Sequence, residues 1–276
     1  MLLQWFFDQG ILSDVKNLLL VGVVTLMTSI WTRFALLLAL AALVSGCAQP
    51  GSGQIEGDVF DPYEANNRQT HELNRALDKV LVRPVGVGYT TIVPDDLEAS
   101  IGNFASNLSL PSTIVNNLLQ GNVEGAFRNS MRFVFNSTLG FGGLFDVAGD
   151  FEINEIGGDF GQTLYVWGVP EGAYIELPIV GPSTERAAVG RAVDLFTNPL
   201  SYVLPNPDKY IGTAAGVASK VGDRVRYAET VDSVLYNSAD SYSQARGIYM
   251  QNRRFQLGDG DAAEEINPFD LNTEGF

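Results

Sequence analysis

The sequence predicts an all-α domain with little or no β structure, and three observations carry this. Between Asp61 and Gln256 apolar residues return every three or four positions in successive segments, the spacing of a helix face. The segments are separated by Pro, Gly and Asx residues, which punctuate helices. Only Tyr174 to Leu177 reads as extended, and Pro170, Pro178 and Pro182 leave no room for a long helix around it.

The first helix is expected after Asp61-Pro62, with Asp61 as N-cap and Pro62 at the first helical position. Leu73, Leu77, Val80 and Leu81 hold the helical period until Pro84, which should end it. A second helix opens at Pro94-Asp95-Asp96, with Leu97, Ile101, Phe104, Ala105 and Leu108 on one face. A third follows Pro111, carries Ile114, Val115, Leu118 and Leu119, and closes at Gly121. In the next, Val123, Ala126, Phe127, Ser130, Met131 and Val134 share a face, and Phe133 and Phe135 lie off it. Gly140-Phe141-Gly142-Gly143-Leu144-Phe145 comes directly after. A helix apolar on most sides is buried in protein or in lipid, and the pattern alone leaves both open. Trp167, Tyr165 and Tyr174 suit the level where lipid tails meet water, because each ring carries one polar group on an apolar body. Arg186 to Phe196 reads as a short helix and Pro205-Asn206-Pro207 as a turn. Ile211 to Tyr227 places Val217, Val221 and Val225 in register, and Thr230 to Gln256 reads as the longest helix, ending on Arg253 and Arg254.

This domain is expected over residues 61–257, preceded by a Gly- and Ser-rich tether at 47–60 and followed by an acidic, disordered tail at 258–276. Residues 1–46 read as a signal-peptide region. Its apolar run from Phe34 leads through Val44 into small Ser45 and Gly46, then into Cys47, the only cysteine. Such a cysteine after small residues resembles the lipobox of bacterial lipoproteins, which implies a diacylglycerol on the thiol and cleavage before Cys47. The alternative, a buried structural thiol, leaves one unpaired cysteine in an exported chain unexplained. Upstream, Leu18 to Leu26 reads either as a transmembrane helix or as sequence ahead of a start at Met27, and the compact signal beginning at Met27 favours the second.

A formal charge of −15 argues against nucleic acid and against bulk attraction to anionic head groups. One histidine, His71, rules out a multi-histidine metal site. The sequence contains no GxxxxGK[ST], no GxGxxG opening a helix and no GxSxG, so neither a cofactor nor a lipase elbow is expected.

In order along the chain come Asp61-Pro62-Tyr63-Glu64, Asn67-Arg68, Arg83-Pro84-Val85, Asn103-Phe104, Asn107-Leu108 and Leu118-Leu119-Gln120-Gly121. Arg132-Phe133, Asn136-Ser137-Thr138, Gly143 to Ala148, Asp159 to Leu164, Trp167-Gly168-Val169 and Leu177-Pro178 follow. These blocks resemble the MlaA (VacJ) family of outer-membrane lipoproteins. The resemblance implies a ring of amphipathic helices, shaped like a doughnut, lying in the inner leaflet of a Gram-negative outer membrane. It also implies association with a trimeric porin and delivery of misplaced phospholipid to a soluble periplasmic carrier (MlaC-like), which maintains lipid asymmetry. Two positions depart from the family: Asn66 stands where a Phe is usual, and His71 where another aromatic is.

The leading reading is therefore a passive phospholipid conduit, with no catalysis. Phe104, Phe127, Met131, Val134, Phe141, Leu144, Phe145 and Trp167 are the candidate lipid contacts. Asn103, Asn107, Asn116, Asn136 and Gln162 are the candidate polar lining, with helix capping as the alternative role for several. The second reading is a structural, porin-associated scaffold. A third, a hydrolase, needs a nucleophile and a base, and His71 is expected on a helix surface.

Overall fold

The computed structural model describes residues 59–258. Cys47, the signal region, the tether before Val59 and the tail after Gly258 lie outside the described residues. Helix α1 (Glu64–Leu77) passes through a π-helical turn (Asp78–Val82) into α2 (Arg83–Ile92), so Pro84 does not end the run. A proline ring clashes with the carbonyl four residues back, and the wider π turn ahead of Pro84 accommodates it. Asp61 is not the cap. Its carboxylate accepts from Asn67 Nδ2 at 2.8 Å, from Arg246 Nη1 at 2.6 Å and from the Tyr242 hydroxyl, tying the start of α1 to the last helix.

The two helices expected around Pro111 are one, α3 (Asp95–Leu119), 25 residues long. Pro111 removes the donor to the Asn107 carbonyl, and one residue on, the Leu108 carbonyl accepts from Asn198 Nδ2 at 3.1 Å. Asn122 caps α4 (Val123–Thr138) through Gly125 N at 2.8 Å. A 3-10 turn (Phe141–Gly143) then brings Gly143, at φ +100°, against α3, where a Cβ would sit 2.5 Å from that of Asn107. Only glycine fits there. The short α5 (Val147–Asp150) and α6 (Phe160–Val166) follow, α6 capped by Asp159.

A hairpin of β1 (Tyr174–Leu177) and β2 (Gly181–Thr184) pairs Tyr174 with Thr184. The second strand escapes the sequence reading because it contains Pro182, which an edge strand tolerates. Next come α7 (Glu185–Thr197), α8 (Leu200–Val203), a 3-10 turn (Asp208–Tyr210) and α9 (Ile211–Arg226). On α7, Gly190 lets α6 approach so closely that a Cβ would meet Gly161 N at 2.2 Å.

The expected long C-terminal helix is two, α10 (Ala228–Leu235) and α11 (Ser241–Leu257). The break falls where the Asp240 carboxylate accepts from Ser243 N at 3.1 Å and starts a new helix. Replacing Asp240 by Ala should lower stability by about 1 kcal/mol, measurable as a shift in denaturant midpoint at constant m. Among the described residues, no helix is long and apolar enough to cross a membrane.

Candidate functional site

Burial in this domain departs from that of a typical water-soluble protein. On α4 the inward face is Gly125, Ala126, Asn129, Arg132 and Asn136, while Phe127 is 65% exposed and Val134 51%. Phe141, Leu144, Phe145 and Trp167 are exposed too, and Phe104 and Met131 half-buried. More exposed apolar side chains lie on α2 (Ile92, 81%) and α7 (Leu195 and Phe196). The buried set, by contrast, holds more polar and charged side chains than apolar ones. Soluble monomers rarely expose apolar surface on this scale. The apolar face expected on α4 is therefore not packed inside the domain, whose interior takes the polar face instead.

Amides and ion pairs hold the interior. Arg132 on α4 donates to both carboxylate oxygens of Asp146 at 2.9 and 3.0 Å, and Asn136 Nδ2 donates to the same group at 2.8 Å. Burial alone would push the Asp146 carboxyl up, but hydrogen bonds from Asn136, Arg132 and the Gly149 N–H hold it below the usual value. Asn107 donates to Ser137 Oγ at 3.0 Å and to the Gly142 carbonyl at 3.2 Å. Asn116 donates to Asp194 Oδ1 at 2.9 Å, and its own oxygen accepts from Thr163 at 3.2 Å. Asn103 reaches the Leu144 carbonyl at 3.4 Å, and Gln162, half-buried, gives its backbone N–H to Asp159 at 2.7 Å. In this arrangement Asn103, Asn107, Asn116 and Asn136 serve as struts between helices and loops.

A groove of about 500 Å³ opens beside these struts, between α3, α7, α8 and α9. Its walls are apolar or small, with Leu108, Leu195 and Val217 against Gly212 and Gly216. Two of the four lysines in the chain, Lys209 and Lys220, reach into it. Lys209 Nζ lies 5.0 Å over the Tyr210 ring. Asp194 lines the same groove, and burial raises its carboxyl pKa against the bonds from Phe160 N and Asn116. Sequence reasoning missed Lys209, Lys220 and Asp194. The available signal was the small-residue stripe Gly212 to Ser219 with a lysine on either side.

Fold and site together define a helical domain that turns apolar surface outward and keeps its polar bonding inside. The chain belongs to the MlaA lipoprotein family, whose model matches residues 59–256. It is similar to the intermembrane phospholipid transport system lipoprotein MlaA of Escherichia coli K12, 33% identical over 232 residues, 82% of this chain and 89% of that protein. The lipoprotein of the same name from Haemophilus influenzae is 30% identical over 247 residues, covering 87% and 96% of the two chains. A protein of Rickettsia bellii is 37% identical over 209 residues, covering 74% of this chain and 80% of that one. One solved structure superposes with a TM-score of 0.61 at 31% identity, covering 71% of this chain and 98% of the other. It is described as the structural basis for maintenance of bacterial outer membrane lipid asymmetry.

Proposed function

We propose that this chain is an outer-membrane lipoprotein that gives misplaced phospholipid a passive path out of the outer leaflet and so maintains outer-membrane lipid asymmetry. The observation that carries the reading is the inverted domain with a groove holding two ammonium groups between apolar walls. Acyl chains in a leaflet match the outer surface, and a lipid phosphate matches Lys209 and Lys220. A charged head group crossing an apolar layer needs such partners, because an unsolvated charge there is costly. The groove volume suits a head group and the first part of its chains. With no phosphate-binding loop in the sequence, lipid moves down a gradient maintained by other components.

The relatives' names and the family resemblance support the remaining parts of the reading. Cys47 carries the lipid anchor after cleavage of residues 1–46, and residues 47–60 tether it to a helical domain at 61–257. The helices ring a channel within the inner leaflet, Phe127, Met131, Val134 and Phe141 meet lipid, and a trimeric porin and a soluble carrier are the partners. The test is deletion of the gene and complementation with wild type or with the pair Lys209→Glu and Lys220→Glu. Wild type should restore low outer-leaflet phospholipid and detergent resistance, and the charge-reversed protein, inserted at the same level, should not. Equal restoration would remove the groove from the path. Unchanged asymmetry after deletion under envelope stress, with no second copy of the gene, would leave the scaffold reading in its place.

A further inference from the structure

His71, expected on a helix surface, is 2% exposed. Its Nε2 lies 3.0 Å from Ser241 Oγ and its Nδ1 3.3 Å from Glu176 Oε1, so α1, β1 and α11 meet at one imidazole. A carboxylate only accepts, so Nδ1 carries the hydrogen and Nε2 keeps a lone pair for the Ser241 hydroxyl. That is the order of nucleophile, base and orienting acid used in serine acyl transfer. Glu176 is itself fixed, by the Tyr174 hydroxyl at 2.6 Å and Asn74 Nδ2 at 3.2 Å. Burial and the bond to Glu176 hold the Tyr174 phenol well above its usual pKa, so it remains a donor. The edge of Tyr242 packs the imidazole, ring centroids 5.7 Å apart.

Ser241 opens α11, and its surroundings supply what an acyl transfer needs besides a base. The Asp240 carboxylate takes the Ser243 N–H and the Asp240 carbonyl takes that of Gln244, both at 3.1 Å. Ser241 and Tyr242 are the first two residues of the helix, where backbone N–H groups have no acceptor within the helix itself. Arg68 clamps Asp240 through two bonds of 3.0 and 2.9 Å, which fixes the start of the helix. Ser241 lines a second cavity, of about 470 Å³, whose other walls include Arg68, Arg75 and Asp240. It shares no residue with the lipid groove.

We propose that Ser241 is a nucleophile activated by His71 in a second site, separate from the lipid groove, that hydrolyses short carboxylic esters. The polar walls of the cavity favour a short, polar ester over a long acyl chain. Ser241 Oγ bonds to the ester carbon while its proton passes to His71 Nε2, and the carbonyl oxygen takes up negative charge beside the two N–H groups. The ester C–O bond then breaks, and the alcohol leaves with the proton from Nε2. Water repeats the sequence on the acyl-serine, giving its proton to Nε2, and the acid is released with Ser241 regenerated. Glu176 acts through His71 as a positioning residue.

The test is covalent labelling of the full-length lipoprotein in detergent with a fluorophosphonate probe, with mass spectrometry to locate the adduct. Labelling of Ser241 is expected, lost in Ser241→Ala, with turnover of p-nitrophenyl acetate falling at least about tenfold in the same variant. Glu176→Gln should slow labelling and displace its pH profile, which a purely structural loss would not do. Wild-type protein that stays folded yet unlabelled, or that labels equally in Ser241→Ala, would overturn the proposal.

Discussion

A Cys47→Ala chain exported with another signal is expected to sediment with membranes and to need detergent for purification. A diacylglycerol at Cys47 would anchor the chain by itself at about 0.8 kcal/mol per buried CH₂, but the domain also offers many apolar side chains of its own. Phe127, Phe141, Phe145, Leu195 and Phe196 are all exposed, and moving each from water into lipid is worth roughly 1.5–3 kcal/mol. The sum over even part of that surface is enough to hold the domain at a membrane without an acyl anchor. A monodisperse, detergent-free monomer would mean that another protein, rather than lipid, covers these residues.

The second large effect is on stability. Arg224→Met should cost about 3–5 kcal/mol, because it strands a buried charge. Arg224 donates to Asp78 through two bonds of 2.7 Å and to Asp232 at 2.6 Å, with side-chain exposures of 8%, 11% and 20%. Arg128→Ala, which breaks an exposed pair with Glu124, should stay within about 1 kcal/mol of wild type. Acid should act through the same groups. Burial tends to raise the Asp78 carboxyl, but hydrogen bonds from Arg224 and Tyr236 prevail and depress it below its unfolded value, and Asp146 and Asp159 behave alike. Groups with depressed folded-state values add stability above the unfolded pKa near ~3.9 and lose it as pH falls through the folded one. Melting temperature should thus hold from neutral pH to about 5 and fall steeply below about 4, and Asp78→Asn should flatten the fall.

The helical class and the register of α9 were legible because Val217, Val221 and Val225 keep a period that no local signal contradicts. Helix ends were less so. Pro84 and Pro111 break helices by local rules, yet a π turn precedes the first and α3 runs straight through the second. The turn before Asp240 was hidden by apolar residues that happen to stay in phase on both sides. Which way α4 faces was illegible in principle, since periodicity reports a face and not the solvent it meets. The buried polar groups were hidden by sequence distance: His71 meets Glu176 and Ser241 only after folding, and Asn116 meets Asp194 the same way.

Outer-leaflet phospholipid in intact cells carrying Gly216→Trp tests the conduit most directly. Gly216 lines the groove on α9 with open space where a Cβ would stand, so an indole can occupy the groove without displacing neighbouring backbone. Gly88→Trp on α2, equally unobstructed, is the control outside the groove. With both proteins inserted at wild-type levels, chemical labelling of exposed amino head groups should rise to the deletion level for Gly216→Trp and stay at wild type for Gly88→Trp. Wild-type labelling in the Gly216→Trp cells would contradict passage of lipid through this groove.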